Sequence, residues 1–232
     1  MTRVLVPTAI LEGESVPFGL MDLLGTVDVT VLGYHVVPEQ TPPDQARMQY
    51  EERAVEALED VAEEFHAAGG DADHRLVFTP DRAKTVQRVA EETGADAYTI
   101  RGTTGSVERL LVPLSGDVAV ERVLSFVTDL IGGRDIGVTL LLATDDESDG
   151  RDRLTAAADR LAARGVDVRT ELAVDDDPVA ALVAAVPDHD AVVMGERAPS
   201  VRSFLFGEEA ERVAAETVGP VLVVRRDEAA EE

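Results

Sequence analysis

Arg3-Val4-Leu5-Val6-Pro7 and Arg109-Leu110-Leu111-Val112-Pro113 are two copies of one pattern in a single chain. Each is a short apolar run that follows an arginine and ends at a proline. Such a run, too short for a helix, reads as a buried strand whose carboxyl end lies at the break. The similarity spreads outward from both copies. Val29-Thr30-Val31-Leu32 matches Val138-Thr139-Leu140-Leu141, a second strand. A long helix follows each, over about Pro43–Ala68 and about Gly150–Arg164. In the first, Val55, Leu58, Val61, Ala62 and Phe65 share one face, with acids opposite. Gly69 and Gly165 close these helices. Third strands are predicted at His74–Phe78 and Val168–Val174. Asp81 caps a helix running to about Thr93, and Asp177-Pro178 opens its counterpart. Gly94–Ile100 and Asp188–Met194 are fourth strands. Only the second copy continues, into a helix at Glu208–Thr217 and a fifth strand at Pro220–Arg225.

Strands alternating with helices, and strands apolar throughout, predict α/β domains with parallel sheets covered on both faces. The internal repeat divides the chain in two. Residues 1–106 form a domain that lacks the last helix and fifth strand. Residues 107–227 form a complete one, and 228–232 are an acidic tail. Gly102-Thr-Thr-Gly-Ser106 is a connecting turn. Ligands of open parallel sheets bind beyond the carboxyl ends of the strands, where strand order reverses.

The 232 residues include 46 Asp and Glu against 21 Lys and Arg, a net charge of −25. Lys84 is the single lysine. This balance excludes a nucleic-acid surface, which needs positive charge to displace counterions, and electrostatic attachment to an anionic membrane. Hydrophobic residues make up 45%, enough for a core, so the acidity does not signal disorder. Carboxylates keep a surface hydrated in concentrated salt, where repulsion is screened. A salt-adapted protein is expected, with arginine bias from a GC-rich genome as the alternative. Cysteine is absent, so disulfides and thiolate chemistry are excluded. The start, Met-Thr-Arg-Val-Leu-Val-Pro, lacks a signal-peptide pattern, and no apolar stretch reaches the ~18 residues of a membrane span. A cytoplasmic protein without membrane insertion is expected.

The stretch from Val192-Val-Met-Gly195 through Gly219-Pro-Val-Leu-Val-Val224 resembles the carboxy-terminal signature of the universal stress protein family. It comprises a strand, a glycine at its end, a loop, a glycine opening a helix, then Gly-Pro-Val-Leu-Val-Val. With the repeat, the likeness extends over the chain, which resembles a tandem, haloarchaeal-type member. The resemblance implies flavodoxin-like sheets of strand order 3-2-1-4-5, also described as adenine-nucleotide-hydrolase-like, and homodimers joined through the fifth strand, here Val221–Val224. Charged residues at Leu222 and Val223 are expected to yield monomers. A subset of the family binds ATP through a glycine-spaced loop and an acid just after strand one.

Mapped onto this chain, the candidate nucleotide or ligand site comprises Leu114, Ser115, Asp117, Gly195, Arg197, Ala198, Arg202, Gly207 and Glu208. Three features depart from the binding pattern. Ala198 stands at the second glycine, Gly207 arrives one residue early, and Glu208-Glu209 replaces Ser or Thr at the helix start. These glutamates occupy the donor-rich helix end with their own carboxylates and repel a triphosphate. Arg197 and Arg202 are phosphate clamps or pair with these acids. Catalytic groups are not evident. The four histidines lack metal-binding spacing, His35 lying nearest the expected cleft, and Asp145-Asp-Glu147 and Asp175-Asp-Asp177 are solvated loops. The expectation is a non-enzymatic stress-response or regulatory protein without a resident cofactor, binding a protein, transporter or small-molecule partner. An ATP-binding member with weak or no hydrolysis is the alternative, AMP being the smaller candidate, and flavin electron transfer is a third use of the fold.

Overall fold

The computed structural model describes residues 2–38, 40, 43–68, 70–100, 102, 105–115, 119–196 and 219–226, the side chains of 43–46 excepted. The chain divides into two compact units, Met1–Thr99 and Ile100–Glu232.

Unit 1 begins with β1 (Arg3–Thr8), α1 (Phe18–Leu24) and β2 (Asp28–Val36). It continues with α2 (Pro43–Ala67), β3 (Ala72–Thr79), α3 (Arg82–Thr93) and β4 (Ala97–Ile100), within which the division between the units falls. The strands are parallel in the order β3-β2-β1-β4. Val4 faces Val29 on one side of β1 and Ala97 on the other. Helix α2 seats a stripe of Ala54, Leu58, Val61 and Phe65, all buried, one or two turns apart. Gly33 in β2 admits this helix, since a β-carbon there would meet the Leu58 side chain at 2.7 Å. Asp81 Oδ1 accepts the Lys84 backbone N–H at 3.0 Å and caps α3, which ends at Gly94 in the left-handed region, φ +64°.

Unit 2 runs β5 (Arg109–Pro113), α4 (Val120–Ile131), β6 (Gly137–Thr144), α5 (Glu147–Ala162) and β7 (Val168–Val174). It then adds α6 (Pro178–Ala185), β8 (Ala191–Gly195) and β9 (Val221–Val224). Its parallel order is β7-β6-β5-β8-β9. This is the strand order 3-2-1-4-5, and unit 1 is the same arrangement without a fifth strand among its described residues. The sheets are α/β and parallel, as the apolar runs predict.

Two helices go beyond the sequence expectations. α1 and α4 fill the crossovers between first and second strands. α4 buries Val123, Leu124, Phe126, Val127, Leu130 and Ile131, each contributing about 1.5–3 kcal/mol. α5 starts at Glu147, ahead of the expected Gly150, because Asp146 Oδ1 accepts the Asp149 N–H at 3.0 Å. Asp177 likewise caps α6, accepting from Val179 and Ala180 at 3.0 Å. Both acidic loops are thus helix starts as much as solvated turns.

The repeat carries a matching polar bracket. In unit 1, Asp96 Oδ2 accepts the Arg3 N–H at 2.9 Å, and the Asp96 N–H returns to Arg3 O at 2.8 Å. In unit 2, Asp190 Oδ2 accepts both the Glu108 and Arg109 N–H groups at 2.9 Å, and its own N–H reaches Arg109 O at 3.1 Å. Each bracket fixes where the central pair of strands begins. It explains why an aspartate precedes the fourth strand in both halves.

Candidate functional site

Unit 2 reverses strand order between β5 and β8, so its cleft opens at their carboxyl ends. Three of the sequence-derived candidates fall among the described residues. Leu114 is buried and donates its N–H to Leu141 O at 2.8 Å. Ser115 is buried, and its Oγ accepts the Ala143 N–H at 2.8 Å. That bond pins the loop after β5 to the end of β6, so Ser115 positions the loop. Gly195 ends β8 opposite Val224, and the next N–H, of Glu196, bonds Val224 O at 2.9 Å. Asp117, Arg197, Ala198, Arg202, Gly207 and Glu208 lie outside the described residues, as does the expected helix at 208–217.

Around Gly195 the structure gathers residues that the sequence did not single out. Ala119, Arg122 and Val123 of the α4 start, Glu196, and Val224-Arg225-Arg226 line one recess with it. Glu196 Oε2 accepts the Arg226 backbone N–H at 3.2 Å, which ties the ends of β8 and β9 together. The start of α4 has no side-chain cap, so its first N–H groups add a partial positive charge. Three arginines and one glutamate therefore line the recess. The space among them, ≈10 Å³, suits a water. A phosphate would enter by displacing the long arginine side chains.

Arginines from one helix and one strand end converge because three elements meet at this point. Arg122 lies in the first turn of α4, and Arg225-Arg226 follow directly from the carboxyl end of β9. A dibasic pair immediately after a buried strand was the available sequence signal.

The other candidates take structural places. His35 packs its ring at 5.3 Å from Tyr50 and 6.2 Å from Phe78. His66 Nδ1 lies 2.7 Å from Ala62 O, and His189 Nδ1 lies 2.7 Å from Ala185 O. Among the described residues no group of three or more His, Asp or Glu is placed to hold a metal ion. None of the described helices is long and apolar enough to cross a membrane. Leu222 and Val223 are both 0% exposed in the single chain. Charged substitutions there would report on folding, not on a dimer.

In unit 1 the loop after β1 is closed from within. The Ala9 N–H donates to Glu14 Oε2 at 2.6 Å. At the end of β2, Arg82 stacks over the Tyr34 ring, 5.3 Å from its centroid.

Residues 106–225 match the model of the universal stress protein family. No curated protein matches the chain. Among solved structures, a universal stress protein from Archaeoglobus fulgidus DSM 4304 aligns over 98% of this chain and 97% of its own, with 20% identity and a TM-score of 0.68. The cytoplasmic domain of a prokaryotic cation chloride cotransporter aligns over 100% and 97%, with 12% identity and a TM-score of 0.56. A universal stress protein from Archaeoglobus fulgidus in complex with dAMP aligns over 50% of this chain and 96% of its own, with 19% identity and a TM-score of 0.38. The first two likenesses extend the fold across both units.

Proposed function

Because the chain belongs to the universal stress protein family, we propose that it is a non-catalytic regulatory protein whose unit 2 holds a small phosphate-bearing ligand. The observation that carries this reading is the convergence of Arg122, Arg225 and Arg226 on the recess beside Gly195. In a chain of net charge −25, like-charged cations meet at the place in unit 2 where the sheet topology favours a ligand. Guanidinium groups bind phosphate through paired, charge-assisted hydrogen bonds. The α4 N-terminus supplies further donors.

A monophosphate such as AMP fits better than ATP. The glycine spacing is broken at Ala198 and Gly207, and Glu208-Glu209 stand where the pattern has an uncharged residue. Those carboxylates compete with the outer phosphates of ATP for the same cations. Ligand occupancy would then be read by a protein or transporter partner. The salt-adapted, haloarchaeal-type character and the tandem arrangement belong to this same proposal, supported by the acidic composition and the paired aspartate brackets.

Calorimetric titration of AMP, and of ATP with magnesium, into the full chain in molar potassium chloride tests the reading. AMP is expected to bind, and Arg122→Gln or Arg225→Gln to weaken it about tenfold each. No heat from either nucleotide overturns the reading. Sustained phosphate release from ATP would favour the enzymatic alternative.

A further inference from the structure

Unit 2 has a second cavity that shares no lining residue with the arginine recess. It lies between the first turn of α4 and the middle of α5 and is a half-open hollow of ≈230 Å³. Leu114, Leu142 and Ala157 form its buried base. Ala156 stands at its mouth, and Val120, Glu121, Arg153 and Arg160 complete the lining. The two arginines differ. Arg160 is engaged in a close ion pair with Glu121. Arg153 has its nearest carboxylate, Asp149, at 3.7 Å, beyond hydrogen-bond reach. Arg75, Arg88, Arg109 and Arg151 hold carboxylates at 3.3 Å or less, while Arg3, like Arg153, is loosely paired, 3.9 Å from Asp28. Arg153 is thus the more loosely paired of the two cations at the edge of this apolar hollow.

The geometry points to this cavity as a binding site for a small amphiphilic carboxylate, with its hydrocarbon end on Leu114 and Leu142 and its carboxylate on Arg153. An apolar pocket with one placed polar anchor is the usual form of a small-molecule site. Burial of the alkyl chain drives association, and the guanidinium sets which end faces outward. Unit 1 supplies an internal control. Its groove between α1 and α2, ≈350 Å³, is lined by Val16, Phe18, Met21 and two alanines, but its charged residue is Glu64. That groove offers an alkyl chain similar contacts but no cation among its lining residues, whereas the Glu121 carboxylate of the unit 2 cavity is paired with Arg160 and Arg153 stands beside it.

Octanoate and octanol, equal in chain length and different in charge, are the probes. Each is titrated into the full chain in high salt, with methyl NMR signals followed. Octanoate is expected to shift Leu114, Val120 and Leu142 saturably, with octanol about tenfold weaker. Arg153→Gln should weaken octanoate about tenfold and leave octanol unchanged. Ala156→Leu, a substitution at an exposed helical position, should block both by filling the mouth. The absence of saturable shifts, equal affinity for the two probes, indifference to Arg153→Gln, or shifts centred on Val16 and Met21 would overturn the assignment. So would binding that survives Ala156→Leu.

Discussion

Gly219→Ala is the sharpest probe of how β9 reaches its place. A β-carbon at Gly219 would collide with the backbone carbonyl oxygen of Asp190. Ordinary contacts of this kind exceed 3 Å, and neither partner is a flexible side-chain tip. One backbone must therefore retreat by more than an ångström. The adjoining bond from the Val192 N–H to Pro220 O, 3.0 Å long, lies directly in the path of that movement. Overpacking costs about 1–3 kcal/mol, and loss of a neutral backbone bond adds about 1 kcal/mol. The substitution should destabilise unit 2 by about 2–4 kcal/mol. It should also displace Arg225 and Arg226, so AMP binding should fall with stability. Urea unfolding at fixed high salt measures the first effect and calorimetry the second. Gly105→Ala is the control. Nothing lies within 4 Å of a β-carbon there, so it should fall within about 0.5 kcal/mol of the parent. A Gly219→Ala protein as stable as the Gly105→Ala protein would refute the close-approach account of the Gly-Pro-Val-Leu-Val-Val motif.

Asp190→Ala removes the acceptor for two backbone N–H groups and should cost about 1–3 kcal/mol in urea, with Asp190→Asn recovering part of it; an unchanged midpoint would show the bracket to be incidental. The hydrogen bond from Arg109 holds the Asp167 carboxyl below its ordinary value of 3.8, and the bond from the Lys84 backbone N–H does the same for Asp81. The unfolded chain therefore takes up these protons first as pH falls, so their stabilisation is complete above about pH 4 and is lost as pH drops through the lower folded values. Asp167→Asn should flatten that acid limb in a series of thermal melts, and an identical limb would count against the pairing. Removal of salt should lower the unfolding temperature, because the net charge of −25 is then unscreened; a midpoint independent of salt would contradict salt adaptation.

The sheets were legible because the central strands are contiguous apolar runs that recur, whereas the outer strands β3 and β7 carry exposed Asp73, His74 and Arg75 and Arg169, Thr170 and Glu171. Helix starts at Asp81 and Asp177 were legible from their caps. α4 was equally present in the sequence. Val123, Val127, Leu130 and Ile131 follow helical spacing, and the parallel pairing of the strands at Pro113 and Val138 requires a crossover between them. α1 gave a weaker signal, since Leu20, Met21, Leu23 and Leu24 are buried around most of a short helix and its narrow exposed face carries one polar residue, Asp22, beside Phe18. The arginine recess was the hardest feature to foresee. Arg122 is distant in sequence from Arg225, and only the placement of β9 beside β8 brings their elements together. Resemblance to a binding motif directed attention to the glycine loop instead, and Ser115 turned out to be committed to Ala143.

The bond between Glu14 and the Ala9 N–H has a consequence for how unit 1 responds to its surroundings. The carboxylate is tethered five positions from the donor it occupies, so its effective concentration is fixed by the chain and cannot be diluted away. A diffusing anion would need to exceed roughly the millimolar level set by such a tether to compete. The loop after β1 in unit 1 thereby holds an internal carboxylate that dilution of the surrounding anions does not remove.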